Sequence, residues 1–194
     1  MAGRKVLVAV VLAACLAPGA MAEAGVGLPD NCGVPNGTSK PFPGGDGYPG
    51  TPYEIGNASD LAAITGDLLD CAYVQIASFA VSSPWTPIGS AVDVFRGVYD
   101  GAGFTISGLS IPAGDDYLGL FGVTQGATIS NVTLTGVSIV GDRFVGGLVG
   151  YAQDTAISNV SVSGAVKGNS KWAGSSATSA AMQTDRSSNS DSAT

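Results

Sequence analysis

Five aspartates, Asp100, Asp115, Asp116, Asp142 and Asp154, are the side chains of this sequence best placed for acid–base chemistry. A carbohydrate-active site would need several such carboxylates converging on one groove. Asp115-Asp116 is the only adjacent pair, and it lies between Gly114 and Tyr117 with Arg143 as the nearest basic candidate. Neighbouring residues point apart, so the pair reads as a solvated loop. There is no histidine, which removes Ser-His-Asp and Cys-His catalysis and every histidine-based zinc site. Aspartate-rich turns can supply oxygen ligands to calcium, but neither a Gly-Gly-x-Gly-x-Asp nonapeptide nor an EF-hand pattern occurs. Gly97, Gly101 and Gly103 are not followed by Lys-Ser/Thr, so they form no phosphate loop. No catalytic residue, metal or cofactor is expected.

Aromatic and sulfur side chains offer binding and cross-linking instead. Trp85, Phe95, Tyr99, Phe104 and Tyr117 could line a carbohydrate groove, although most suit cap and core packing. Trp85, between Pro84 and Pro87, is the expected exposed ligand contact. Cys32 and Cys71 form an even pair once a leader is removed, and read as one disulfide rather than a catalytic thiol. Closing that loop would contribute about 3–4 kcal/mol.

Composition sets the frame around these residues. The net charge of −7 argues against nucleic acid and anionic lipid, both of which demand excess Lys and Arg. Only 12% of residues are charged, and Gly is abundant at 29, which suits an exported β-rich chain. Arg4 and Lys5, the apolar run Val6 to Leu16, and Ala20-Met21-Ala22 read as a signal peptide over residues 1–22. A minor alternative takes Leu12-Ala13-Ala14-Cys15 as a lipobox with Cys15 lipidated. The apolar run is too short to span a bilayer and no second one follows, so no transmembrane segment is expected. Residues 23–52 are a Pro/Gly-rich leader that excludes regular helix.

The elements that must position the candidates announce themselves by repetition. Gly119-Leu120-Phe121-Gly122, followed by Thr128-Ile129-Ser130-Asn131-Val132-Thr133-Leu134, recurs 28 residues later. The second copy is Gly147-Leu148-Val149-Gly150 and Ala156-Ile157-Ser158-Asn159-Val160-Ser161-Val162. A period of this length points to stacked units. Each rung offers three strands, expected at Leu118–Phe121, Thr128–Leu134 and Val137–Val140, with Gly and Asn at the corners. Ile129 should stack on Ile157 and Asn131 on Asn159, about 4.8 Å apart, so that the amides form a ladder. Thr105 to Ile111 matches Thr128 to Leu134 and is read as an earlier rung at a spacing of 23 residues. A helix from about Asp60 to Leu69, capped by Asn57 or Ser59, should close the open end of the stack.

Trp85-Thr86-Pro87-Ile88-Gly89, Phe95-Arg96-Gly97, Gly119-Leu120-Phe121-Gly122 and Val145-Gly146-Gly147-Leu148-Val149-Gly150 together resemble GLUG-motif repeats. Such repeats occur in bacterial surface proteins, including filamentous-haemagglutinin-like adhesins and non-catalytic regions of immunoglobulin A peptidases. The resemblance implies an all-β chain folded as a right-handed parallel β-helix, with a cap and first rungs over 53–114 and GLUG-type rungs over 115–168. It carries over no catalytic residues.

After Gly168 the pattern stops, and residues 169–194 read as a disordered or frame-shifted tail. Bases encoding Val-Gly-Gly-Leu-Val-Gly-Tyr, read in another frame, yield Lys171 to Thr178 as they stand. The expected role is adhesion or surface display, secreted or on the bacterial cell surface, with a host or matrix glycan or protein as partner. Two rivals are a carbohydrate-active β-helix enzyme and a passive spacer within a larger surface protease.

Overall fold

The computed structural model describes Cys32 and residues 41–81, 84–112 and 116–168. The signal peptide, Cys15, most of the leader, Asp115 and the tail expected over 169–194 lie outside the described residues.

Tyr53–Ile55 forms β1, and Ala58–Ala62 forms the short helix α1. Asn57 caps α1: its Oδ1 accepts from the backbone N–H groups of Ser59 and Asp60 at 2.8 and 3.1 Å. Those are donors a helix start would leave orphaned, and Asp60 answers by accepting from Gly56 N and Asn57 Nδ2, which holds the cap residue in place. The single helix expected to Leu69 is instead two pieces. Gly66, at φ +56°, breaks the continuation, and Gly66–Asp70 is a separate 3-10 turn.

The rest is strand. Ala72–Gln75 (β2) and Phe79–Ala80 (β3) open the stack, followed by Val98–Asp100 (β4), Thr105–Ser107 (β5) and Ser110–Ile111 (β6). Phe121–Gln125 (β7), Thr128–Ser130 (β8) and Thr133–Gly141 (β9) form the next rung. Val149–Gln153 (β10), Ala156–Ser158 (β11) and Ser161–Gly168 (β12) form the last. All pairings between these strands are parallel and fall into three sheets, β1-β2-β4-β8-β11, β7-β10 and β3-β5-β9-β12. The chain is a parallel β-solenoid of about three turns.

Register follows the corners. Ile157 lies beside Ile129, Val162 beside Leu134, and Tyr99 beside Ile129 on the other side. The strand expected over Thr128–Leu134 is cut in two, because Asn131 takes φ +55° and turns the chain from β8 into β9. The spacing of 23 residues expected for the earlier rung is also corrected. Thr105 and Ile106 pair with Thr133 and Leu134, not with Thr128 and Ile129. The longer corner after Asp100, with Ala102 and Gly103 at φ 48° and 79°, shifts the apparent match by one side of the triangle.

The interior is apolar and columnar. Phe42, Tyr53, Tyr73, Phe95 and Phe121 form a file of rings with successive centroids 4.4, 5.9, 6.4 and 4.9 Å apart. The hydroxyls of the buried tyrosines are met internally: Tyr53 donates to Cys32 O, Tyr73 to Leu68 O, and Tyr99, edge-on to Phe121, to Gln75 Oε1. Cys32 and Cys71 form a disulfide with Cα atoms 5.4 Å apart, which ties the leader to the start of β2.

Candidate functional site

The motif residues build the site indirectly. Leu120 and Leu148 are fully buried, side chains inward, and Phe121 N donates to Leu148 O at 2.8 Å. Gly122 and Gly150 occupy places where no side chain fits. A Cβ on Gly122 would come within 2.4 Å of Gly89 O, and one on Gly150 within 2.7 Å of Phe144 O. Gly119 is equally tight, 2.8 Å from Phe121 O, and Gly147 O accepts from Leu120 N. The glycines therefore let the corner segments 116–118 and 143–145 lie directly on the backbone of β7 and β10.

Those two corner segments run in parallel. Leu118 N donates to Phe144 O and Gly146 N to Leu118 O. The pairing stacks Tyr117 on Phe144 with ring centroids 4.9 Å apart and planes 3° from parallel. Tyr151, from β10, stands nearly perpendicular to both, at 6.2 and 5.4 Å. All three rings are half-buried. Tyr117 and Phe144 both take positive φ, 63° and 54°, which is uncommon for bulky residues and holds the rings at the corner.

An ion pair fixes the edge of this aromatic corner. Arg143 Nη2 and Nε donate to Asp116 Oδ2 at 2.6 and 3.1 Å, and Arg143 N donates to Asp116 Oδ1. The guanidinium hydrogen bonds hold the Asp116 carboxyl below the usual carboxylate range, and Asp116 in turn raises Arg143. The Arg143 side chain remains 67% exposed. Planar rings beside a two-pronged charged pair can pack against the C–H face of a sugar while the rim exchanges hydrogen bonds with its hydroxyls.

The expected contact residues fare differently. Trp85 is 6% exposed, and its indole N–H donates to Leu120 O at 3.2 Å, so it is a core side chain and not the exposed contact expected between two prolines. Phe95 and Tyr99 are fully buried. Phe104 is 37% exposed but stands at the corner after β4, away from Tyr117 in the sequence of corners. Phe144, Tyr151 and Arg143 were missed as site residues. The 28-residue repeat sets Tyr117 against Val145, and only a one-residue gap brings Arg143-Phe144 before Val145 opposite Asp116-Tyr117 before Leu118.

A second feature runs along another corner. Asn159 Nδ2 donates to Asn131 Oδ1 at 2.7 Å, and Asn131 Nδ2 donates to Asp100 Oδ1 at 2.8 Å. The ladder thus begins on an aspartate, which also accepts from Ala102 N. This fixes Asp100 in a structural role. Among the described residues, no three His, Cys, Asp or Glu side chains are grouped so as to hold a metal ion. No helix among them is long and apolar enough to cross a membrane.

Comparison with known proteins bears on the last rung first. The family model described as the GLUG motif matches residues 145–167. Halomucin from Haloquadratum walsbyi (strain DSM 16790 / HBSQ001) is 38% identical over 107 residues, covering 46% of this chain. The chain spans about 1% of that relative's length. No solved structure matches. Residues 145–167, the segment that matches the GLUG motif, take in β10, β11 and most of β12, the rung that pairs in parallel with β7, β8 and β9.

Proposed function

We propose that this chain is a non-catalytic surface or extracellular repeat protein, with adhesion through glycan binding as its role. In this reading residues 53–114 are cap and first rungs, and 115–168 are the displaying GLUG-type repeats. The observation that carries it is the parallel stacking of Tyr117 on Phe144 beside the Asp116–Arg143 pair. The likeness to Halomucin, a mucin by name, supports placement outside the cell. The resemblance to filamentous-haemagglutinin-like adhesins points the same way, and the disulfide suits an oxidising compartment.

The rival reading as a carbohydrate-active enzyme draws less support. Asp116 is committed to Arg143 and Asp100 to Asn131, so neither stands as a free acid or base. A binding screen of the folded chain against neutral and acidic glycans tests the proposal. Binding should weaken about tenfold in Tyr117→Ala or Phe144→Ala. A well-folded chain that binds no glycan would favour the passive spacer of a larger surface protein.

A further inference from the structure

The Asp116–Arg143 clamp uses only part of the guanidinium. Nε and Nη2 donate to Asp116 Oδ2 at 3.1 and 2.6 Å, and Nε also reaches Oδ1 at 3.3 Å. A guanidinium carries five N–H bonds arranged as flat forks. The outer fork, made by Nη1 and the second Nη2 hydrogen, is not the one that faces Asp116. The Arg143 side chain is 67% exposed and that of Asp116 only 19%, so the paired edge is sheltered and the outer fork is open. Asp116 is fully engaged by the same contacts: its Oδ1 accepts from Arg143 N and Nε, and its Oδ2 from Nε and Nη2. The pair therefore turns hydrogen-bond donors and positive charge outward. A neutral sugar hydroxyl wants an acceptor as well as a donor, whereas a carboxylate wants donors alone.

The clamp also fixes where the fork points. The backbone N–H of Arg143 and its own guanidinium are bonded to one carboxylate on the neighbouring corner segment. Much of the freedom that an exposed arginine loses on binding is thus lost already in the free chain. The stacked rings share this corner. Phe144 follows Arg143 in the chain, and Tyr117 lies close enough to Arg143 to add to the field that raises it, as does Asp142.

We propose that the aromatic corner recognises a sugar carrying a carboxylate on its ring, of the uronic or sialic acid class; this rests on the glycan-binding reading above and names its ligand. The carboxylate lies across the outer fork of Arg143 as a bidentate pair, and the C–H face of the sugar packs on the rings of Tyr117 and Phe144. The surroundings also limit the charge that fits. Asp142 acts on Arg143 from the same segment, and the chain carries a net charge of −7. A dense polyanion would bring many charges into that field for the sake of one fork, so the ligand is an isolated or terminal acidic sugar.

Matched ligands test this by NMR titration of the full chain: methyl glucuronide against methyl glucoside, and sialyllactose against lactose. The acidic member of at least one pair should bind about tenfold more tightly than its neutral partner. Arg143→Gln should bring that ratio to about one, and so should Arg143→Lys, which keeps the charge and loses the fork. Tyr117→Ala should weaken both members and leave the ratio. Amide spectra away from the corner check that each variant folds, and the ratio in the unaltered chain decides alone if one does not. Equal binding within both pairs, or a preference that survives in Arg143→Lys, would overturn the proposal and leave glycan binding standing. A polyuronate that binds more tightly per sugar than the single uronide would overturn it as well. If none of the four ligands binds, the glycan screen separates the two failures: a neutral glycan bound there overturns this proposal alone, and a blank screen overturns the reading it rests on.

Discussion

The backbone of Tyr117 lies against the empty face of Gly150: a Cβ on that glycine would come within 2.7 Å of the Tyr117 carbonyl carbon. The glycine that defines the repeat and the aromatic ring that defines the corner are thus two sides of one contact. The motif matters here for what it leaves out, since a side chain on Gly150 would lift both corner segments off β10.

The first prediction follows directly. Gly150→Ala forces backbone atoms apart, because Leu118 N and Phe144 O are equally close and belong to no flexible side chain. A loss of about 1–3 kcal/mol is expected, read as a lower urea midpoint at unchanged slope. Gly50→Ala, where a Cβ meets nothing within 4 Å, serves as the control and should leave the midpoint nearly unmoved. Equal effects at both positions would show that the contact does not matter.

Asn131 carries two burdens that substitution can separate. It holds a left-handed backbone at φ +55°, and it bridges Asp100 and Asn159 by two side-chain hydrogen bonds. Asn131→Ala loses both and should cost about 2–3 kcal/mol. Asn131→Gly keeps the backbone freedom and should recover about 1 kcal/mol of that. If the two variants melt alike, the corner geometry contributes nothing.

Much of this architecture could be read from the sequence, and the failures share a physical cause. Ile129 over Ile157 and Asn131 over Asn159 were legible because identical residues recur at a constant interval. Thr105 to Ile111 misled because Thr-Ile-Ser suits any side of the triangle; only the length of the corner after Asp100 decides which side it occupies. Trp85 misled because flanking prolines say where a chain turns, not toward which side. The aromatic corner stayed hidden because Tyr117 and Phe144 are different residues in ungapped text. Only pairing of Leu118 with Val145 brings them together.

The disulfide should matter most at the capped end. It joins Cys32 to Cys71 across a separation of 39 residues, and Tyr53 donates to Cys32 O beneath the leader. Replacing both cysteines by alanine should cost about 3–4 kcal/mol in the chain-entropy account. Chemical denaturation with and without reductant measures it; identical midpoints would show that packing alone holds the cap.

Acid should act on the edge of the aromatic corner. The hydrogen bonds from Arg143 lower the Asp116 carboxyl, so the clamp contributes above the ordinary carboxylate range. That contribution is lost as pH falls through the lowered folded value. In Arg143→Gln the carbon-13 titration midpoint of Asp116 should move upward toward the usual range. An unmoved midpoint would mean that the pair does not persist in solution.

Alkali should act on the interior. Burial raises the phenols of Tyr73 and Tyr99 above their ordinary value of 10.0, with a further push from Tyr53 and Asp70 on the first and from Asp100 on the second. Both therefore stay protonated in the folded chain at a pH where the unfolded chain has released those protons. Stability is unaffected below about pH 10 and falls as pH rises above it, because the unfolded state then binds fewer protons than the folded one. Absorbance at 295 nm should show these two rings ionising only together with the loss of β-sheet circular dichroism. Tyr99→Phe removes one such group and leaves the column filled, so its alkaline transition should begin at higher pH. An unshifted transition would place the alkaline weak point elsewhere than in Tyr99.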